Sequence, residues 1–243
     1  MEKEEYHIMY KEEEVHWWYK GLRNLILRQL DVFYSVKDRT YFLDAGCGTG
    51  SNLNFFNKYG IPYGLDISSD ALTFCKDRGI NNVLQGSISQ IPFKDGIFDF
   101  ILSLDVLCQR QVKEDEIALK EILRVLKPGG LLILNLPAFN FLKRGHDKRV
   151  HASRRYTKNE LAAKLRKHNV KILKLTYRVN FLLPIILLLK ITGMSEKEKS
   201  DLRPVNRSLN NFFSQLLSFE NFLLDFIDLP FGSSVFCVAM KTL

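Results

Sequence analysis

The chain has 243 residues, of which 46% are hydrophobic and 26% are charged. This length and composition allow one sizeable core, so we expect a single domain over residues 1–243 and exclude global disorder. The four cysteines are scattered without CxxC spacing, which argues against a zinc site or a disulfide framework. We therefore expect a reducing, cytoplasmic environment.

The net charge of +8 is distributed unevenly along the chain. Residues 141–178 contain thirteen Lys or Arg against only Asp147 and Glu160, whereas the N-terminal segment is rich in glutamate. Such a basic segment attracts phosphate, carboxylate, an anionic membrane or nucleic acid; the alternative is an ordinary solvated face. The acid-rich start does not resemble a signal peptide, and the apolar stretch at 181–189 contains Pro184 and is too short to span a bilayer. We expect at most a peripheral membrane contact.

Helical and strand patterns divide the chain into parts. Residues 12–33 carry apolar side chains at helical spacing and predict an amphipathic helix within an N-terminal helical cap, 1–39. Short apolar strands then alternate with helical stretches, which is typical of an α/β fold with a doubly wound, mainly parallel sheet. A helix through Leu126 should stop at the Pro-Gly-Gly of residues 128–130. The seven predicted strands lie at 41–46, 62–66, 82–85, 98–104, 130–136, 171–178 and 234–241.

A glycine-rich loop at residues 44–50, Asp-Ala-Gly-Cys-Gly-Thr-Gly, follows the first predicted strand and precedes a predicted helix at 51–56. Glycines permit positive φ and let the backbone approach a ligand, while free N–H groups at the helix start can bind a carboxylate. A dinucleotide-binding loop would need a third glycine where this chain has Ser51. Asp44 can orient the loop or meet a ligand's ammonium group, and the other predicted contacts are Gly46, Cys47, Gly48 and Gly50.

The ends of the next three strands supply the rest of the predicted ligand site. Asp66 ends the second strand, where a carboxylate can accept two hydrogen bonds from ribose hydroxyls. Because the carboxyl ends of parallel strands share one edge of the sheet, the residues at these ends should line a single crevice. The further predicted contacts are Ile67, Ser87, Ile88 and Leu104.

Several short motifs together resemble one superfamily: residues 44–50, Asp66, Pro92-Phe93, Phe98-Asp99 and Leu126-Lys127-Pro128-Gly129-Gly130. This combination resembles the class I S-adenosylmethionine-dependent methyltransferases, in a bacterial small-molecule branch. The resemblance implies a Rossmann-like fold whose segment 40–140 binds S-adenosyl-L-methionine. Many members carry Asp where this chain has Ser87, so the carboxylate contact to the adenine amino group is not implied here, and Ile88 is expected to pack against the ring.

The N-terminal segment 14–19 also resembles this bacterial branch. In such proteins the leading helix lies over the cofactor, which implies contacts from His16, Trp17 and Arg23. The alternative is that Trp17 and Trp18 only pack against the core.

Methyl transfer is an in-line displacement, so the enzyme mainly aligns the acceptor and excludes water. A hydroxyl acceptor benefits from a general base, usually histidine. The predicted catalytic residues follow the fifth strand, with residues 154–156 as an anion-holding arm: His146, Asp147 and His151. The alternative is a surface loop with a helix that begins at Thr157. We predict no metal site, because no closed ligand set is present.

Other acceptor chemistries fit less well. Cys108 lies near the place where cytosine-C5 methyltransferases carry a nucleophilic cysteine, but Leu107 precedes it instead of proline. Amino methyltransferases of nucleic acids carry Asn or Asp followed by Pro-Pro and an aromatic residue at this strand end, unlike the Ser-Leu-Asp-Val of residues 103–106. Nucleic acid is therefore not the predicted partner.

The helical insertion at 179–231, with a predicted helix at 208–228, is expected to be a lid or an acceptor pocket. Its apolar run at 181–187 resembles part of a peripheral membrane anchor, which with the basic segment gives a predicted membrane or anionic contact at 141–190. The alternative is a buried helix hairpin. We expect a small-molecule acceptor, methylated on an oxygen of a glycan, lipid precursor or secondary metabolite. A non-catalytic binding protein and a nucleic-acid methyltransferase stay open, as does the oligomeric state.

Overall fold

The structure of the protein is a computed structural model, which describes residues 1–35, 39–192, 202 and 204–243. Within these residues the chain forms a single seven-stranded sheet in the order β3-β2-β1-β4-β5-β7-β6. All neighbouring strands are parallel except β7, which runs antiparallel to both β5 and β6. The strands are β1 (Tyr41–Ala45), β2 (Ile61–Asp66), β3 (Val83–Gln85), β4 (Phe98–Leu104), β5 (Leu126–Pro137), β6 (Val170–Arg178) and β7 (Ser234–Lys241).

Helices cover both faces of this sheet. Two apolar clusters fill the space between the sheet and the helices, one on each side. β4 shows why the sheet needs both layers, because its first six residues are all buried and therefore cannot face solvent on either side. The helices are α1 (Lys3–Glu12), α2 (Trp17–Phe33), α3 (Ser51–Phe55), α4 (Ser69–Asp77), α5 (Asp115–Val125), α6 (Gly145–Arg149), α7 (Lys158–Leu165), α8 (Leu183–Ile191) and α9 (Arg207–Leu223).

The predicted fold class is confirmed, and all seven predicted strands are present. The start of β5 was predicted wrongly, because Leu126 already pairs with Phe98 and the preceding helix ends at Val125. The sequence motif at 128–130 therefore lies inside a long strand, whose pairing with β4 shifts register between Phe98 and Phe100.

The helix predicted at 12–33 is present as α2, but its start was predicted wrongly, and a second helix precedes it. His16 has extended backbone angles, and its side chain accepts a hydrogen bond from the Trp18 N–H, so α2 begins at Trp17. A separate helix, α1, covers Lys3–Glu12 ahead of this break.

The insertion between β6 and β7 contains α8 and α9. α9 packs along α2, where Gly21 leaves room for Leu217 and the Asn221 amide donates to the Gly21 carbonyl at 2.8 Å. α9 ends at Leu223, five residues before the predicted end. The alternative of a buried helix hairpin is wrong for α8. All nine residues of this helix are described, and none of them is buried.

Candidate functional site

A cavity of about 490 Å³ opens at the carboxyl ends of β1, β2 and β4. The chain leaves β1 toward β2 on one side and returns to β4 on the other, and such a reversal of strand order opens a crevice for ligands. The volume lies within the range of about 300–1,000 Å³ of small-molecule pockets. Of the predicted ligand contacts, these line it: His16, Trp17, Arg23, Gly46, Cys47, Gly48, Asp66, Ile67, Ser87, Ile88 and Leu104.

The glycine loop forms the floor of this cavity. Gly46 has a φ of +102°, and a Cβ placed there would lie 2.2 Å from the Val106 side chain. Gly48 has a φ of +52° and faces the Met9 side chain. Only glycine combines these angles with so close an approach, so the loop leaves bare backbone facing the cavity.

Asp66 holds the loop to the end of β2. Its carboxylate accepts hydrogen bonds from the Gly48 N–H and the Ser68 N–H, each at 2.9 Å. Burial raises the pKa of this carboxyl, while the backbone donors oppose that rise. A carboxylate offers about four lone-pair sites, so Asp66 can still accept a hydrogen bond from a hydroxyl group of a ligand.

Two of the predicted contacts stand behind the loop. Asp44 is 1% exposed, does not line the cavity, and accepts a hydrogen bond from the Asn52 amide at 3.3 Å. Burial raises the pKa of Asp44 to about 8. Gly50, with a φ of +87°, precedes α3 and approaches Cys75, so it shapes the turn. The arrangement favours the loop-orienting role for Asp44.

Ser87 and Ile88 line the far end of the cavity, after β3. The Ser87 hydroxyl accepts a hydrogen bond from the Ser89 N–H at 3.1 Å, so it is engaged in a local turn. Ile88 is 4% exposed and belongs to the core on one face of the sheet. Ser87 and Ile88 therefore contribute apolar surface and no carboxylate to the cavity.

Arg23 stands over the start of α3. It is 4% exposed and donates to the Ser51 hydroxyl at 2.6 Å and the Asn52 side-chain carbonyl at 3.1 Å. A guanidinium carries a full positive charge and a helix N-terminus carries a partial one. A ligand carboxylate is therefore favoured where the two lie side by side.

The sequence did not reveal how α1 closes this side of the cavity. Tyr6, Met9 and Glu13 line it at spacings of three and four residues, a weak helical signal in an acid-rich segment. Glu13 is 3% exposed and accepts hydrogen bonds from the Thr49 hydroxyl and from Arg78. Burial raises the pKa of Glu13 to about 7, which Thr49 and Arg78 oppose.

His16 and Trp17 both line the cavity. Trp17 in addition packs against another aromatic side chain, so lining and packing are both present for this residue. The Trp17 ring lies 5.2 Å from that of Phe213 on α9. Trp17 therefore joins the helical cap to the insertion.

Asp105, at the end of β4, faces the cavity on the side away from Asp66. It has a φ of +59°, which is strained for a residue other than glycine. The Asn135 amide on β5 donates to both of its oxygens, at 3.0 and 3.1 Å. Burial raises the pKa of Asp105 to about 6, while Asn135 and the positive charge of Arg178 lower it.

Arg178, at the end of β6, lies behind this pair and is fully buried. It donates to the Asn135 side-chain carbonyl at 3.4 Å, and its guanidinium carbon lies 5.4 Å from the Trp18 ring centre. Its Nε and Nη2 have no hydrogen-bond partner among the described residues. The buried charge is balanced by Glu220 and Asp105 at longer range. Arg178, Asn135 and Asp105 thus form one polar chain that ends at the cavity.

The predicted catalytic cluster separates in the structure. His146 lines the cavity. Asp147 also lines it, but its carboxylate accepts two hydrogen bonds from Arg155, at 2.8 and 2.9 Å, and one from the Arg144 N–H. Burial opposes ionisation of Asp147, yet Arg155 leaves its pKa lowered. His151 is not one of the described lining residues; its Nδ1 lies 3.2 Å from the amino group of Met1.

Residues 154–156 also make hydrogen bonds within the protein that stabilise its structure. Arg154 is bonded to the carbonyls of Val112 and Lys113, and the Tyr156 hydroxyl donates to Asp115 at 2.9 Å. The Cys108 thiol donates to the Asp105 carbonyl at 3.2 Å, and burial raises its pKa. A thiol kept protonated is a poor nucleophile, which weighs against the cytosine-C5 chemistry.

Comparisons with known proteins agree with this geometry. A family model described as "Methyltransferase domain" matches residues 43–134. The malonyl-[acyl-carrier protein] O-methyltransferase of Buchnera aphidicola is 31% identical over 49% of this chain and 47% of that protein. The fatty-acid O-methyltransferase of Mycolicibacterium smegmatis is 33% identical over 37% of this chain and 35% of that protein. An Arabidopsis thaliana tRNA (carboxymethyluridine(34)-5-O)-methyltransferase is 31% identical over 42% and 25%.

The chain thus spans about half or less of the length of these curated relatives. Among solved structures, a SAM-dependent methyltransferase of Thermotoga maritima has a TM-score of 0.55 at 23% identity, with 98% of this chain and 96% of that chain covered. The site also fits the cofactor, because the bare glycine loop, the Asp66 carboxylate and the buried Arg23 guanidinium meet in one cavity. Residues 43–134 of this chain therefore match a methyltransferase domain, and the chain has the Rossmann-like fold of the class I S-adenosylmethionine-dependent methyltransferases.

Proposed function

We propose that this chain is an enzyme that uses S-adenosylmethionine to methylate an oxygen atom of a small, partly apolar molecule. One observation carries the proposal: a single cavity is bounded by the glycine loop at one end and by Asp105, His146 and the apolar side chains of α8 at the other. A bound cofactor would supply an electrophilic methyl group on a sulfonium. The second end then holds the acceptor.

At the cofactor end of the cavity, each part of the cofactor is matched to a residue with suitable chemistry. Asp66 would accept hydrogen bonds from the ribose hydroxyls, and Arg23 with the start of α3 would hold the carboxylate. Ile67 and Ile88 would pack on the adenine. His16 and Trp17 would cover the ligand from the cap, in agreement with the lining of the cavity.

Two residues at the acceptor end can remove a proton from a hydroxyl. His146 is one of the two histidines that the sequence analysis offered as the base, and Asp105 is added by its position in the cavity. A general base works best with a pKa near the working pH, and the pKa of about 6 for Asp105 satisfies that condition. We propose Asp105 as the base for a hydroxyl acceptor, and His146 as a residue that positions the acceptor. In this proposal Asp147 and His151 have no catalytic role and support the segment that carries His146.

A carboxylate acceptor needs no base, and the relatives make this acceptor class relevant. Two of them act, by name, on fatty acids and on a malonyl group attached to its carrier protein. The side chains of Leu182, Ile185, Ile186 and Leu189 give the cavity an apolar wall that suits such a chain. An acyl carboxylate is therefore the first acceptor class to test.

Methylation of tRNA is a second candidate, supported by the Arabidopsis relative and by the basic segment. Much of that segment is neutralised, however. Arg149 pairs with Glu4 and Glu5, Lys164 with Asp115, and Arg155 with Asp147. Ion pairs of this kind leave fewer free charges for phosphates.

Calorimetric titration with S-adenosylmethionine, S-adenosylhomocysteine and NAD tests the cofactor assignment. We expect binding of both sulfur compounds and none of NAD. A labelled methyl donor with fatty acids, hydroxylated lipids and total tRNA then tests the acceptor. Transfer to tRNA alone would replace the small-molecule proposal, and binding of no sulfur compound would favour a non-catalytic protein with this fold.

A further inference from the structure

Helix α8 has an unusual composition for a helix at a protein surface. Its sequence, Leu-Pro-Ile-Ile-Leu-Leu-Leu-Lys-Ile, contains one charged residue, and none of its nine residues, all described, is buried. Ile191 is 83% exposed, Leu188 61% and Ile185 50%. A helix that is apolar all round is normally buried in protein or in lipid. Nothing in the described ranges of the chain therefore covers this helix.

The same helix forms the outer wall of the cavity. Ile185 both lines the cavity and is half exposed, so the mouth of the cavity lies beside it. Leu182, Ile186 and Leu189 continue the wall inward. Whatever covers α8 also covers the route into the acceptor end.

Positive charge lies next to this apolar surface. Phe141, 58% exposed, precedes Lys143, which is exposed and donates to the Ser153 carbonyl. The Lys190 ammonium donates to the Lys143 carbonyl at 2.8 Å. Both lysines meet backbone carbonyls here, in contrast to the ion-paired Arg149 and Lys164, so their charges are not cancelled by these contacts.

We propose that α8 and Phe141 form an interfacial face that rests on an anionic phospholipid membrane, with the cavity mouth turned toward the lipid. Apolar side chains that enter the interface, with cations beside them to meet anionic headgroups, are the pattern of a helix lying in the membrane plane. In the described part of the chain, no helix is both long and apolar enough to cross a bilayer. The proposed contact is peripheral, because a helix that lies in the membrane plane does not cross the bilayer.

A second copy of the chain fits this face less well. A two-fold interface would bring the same surface of both copies together, and with it Lys143 and Lys190 of each copy. Like charges at short range oppose such a contact, whereas anionic headgroups favour it. The inference goes beyond the proposed function, because vesicle binding does not require methyl transfer.

The test is co-sedimentation of the full chain with vesicles of phosphatidylglycerol or of phosphatidylcholine. We expect binding to phosphatidylglycerol vesicles that weakens with added salt. The double variant Leu188→Asp with Ile191→Asp should bind at least about tenfold more weakly. The matched control is Val32→Asp with Ile117→Asp, which adds the same charge at exposed apolar positions on α2 and α5, 67% and 45% exposed.

Unchanged binding of S-adenosylhomocysteine would show that both double variants are folded. No binding of the parent chain to phosphatidylglycerol vesicles, or equal loss in both double variants, would overturn the proposal. A dimer in solution that only the α8 variant dissociates would overturn it too, and would assign this face to a second copy. Loss of methyl transfer with vesicle binding retained would leave the inference standing and count against the proposed function alone.

Discussion

Replacement of Asp66 by Asn tests the cofactor site most directly. The parent carboxylate accepts hydrogen bonds from the N–H groups of Gly48 and Ser68 and can accept a further one from a ligand. The Asn amide has a single acceptor oxygen, so the variant loses a hydrogen bond either to a backbone N–H or to a ribose hydroxyl. The NH₂ group of the amide would face one of these donors and could not accept from it. A hydrogen bond to a charged group contributes about 1.5–3 kcal/mol.

This loss converts to a rise in the dissociation constant for S-adenosylhomocysteine of about 10- to 100-fold, since about 1.4 kcal/mol corresponds to a factor of ten. Isothermal titration calorimetry measures it. The control is Asp99→Asn, which removes another buried carboxylate, 3% exposed and bonded to Lys127 and the Tyr41 N–H at the opposite end of the sheet. We expect the control to lower thermal stability and to keep the affinity. If Asp66→Asn bound as tightly as the parent chain, the assignment to ribose would be wrong.

The further predictions concern three other residues of the cavity. Asp105→Asn should lower kcat for a hydroxyl acceptor by at least about 100-fold without weakening S-adenosylhomocysteine, because an amide cannot take the proton. For the parent enzyme the rate should fall as the pH drops below about 6, where Asp105 gains a proton; a rate independent of pH in that range would argue against this base. Arg23→Gln should weaken S-adenosylhomocysteine but not methylthioadenosine, which lacks the carboxylate, and equal loss for both would show a purely structural role. Gly46→Ala should abolish binding through the contact with Val106, whereas Gly79→Ala, at a φ of +76° with open space around it, should leave binding intact.

The sequence was sufficient to predict those parts of the cavity that depend on local backbone conformation. The glycine loop and Asp66 follow strands whose apolar runs are easy to recognise, and the parallel sheet brings those strand ends to one edge. Ile67, Ile88 and Leu104 follow from the same argument. Their presence in the cavity depended little on side chains from distant parts of the chain.

The acceptor end could not be predicted in the same way. Asp105 acquires its environment from Asn135, thirty residues later, and from Arg178 on β6, which no local pattern connects. Asp147 was expected to act with a histidine, but Arg155 binds its carboxylate. Helix α1 was not predicted, because its many charged residues make the helical spacing of its few apolar residues difficult to recognise. In each case tertiary contacts decide the role of the residue.

The pairing of Arg178 with Ser234 has a consequence for the way this scaffold can be altered. The segment that carries α8 and α9 leaves the sheet at β6 and rejoins it on the neighbouring strand, so its two ends lie side by side. Loop closure between adjacent ends depends only weakly on the length of the loop. A replacement segment could therefore be grafted between these strands, provided that it preserves the contact with Gly21 on α2. Such chimaeras would exchange the acceptor pocket while they inherit an unchanged cofactor-binding half.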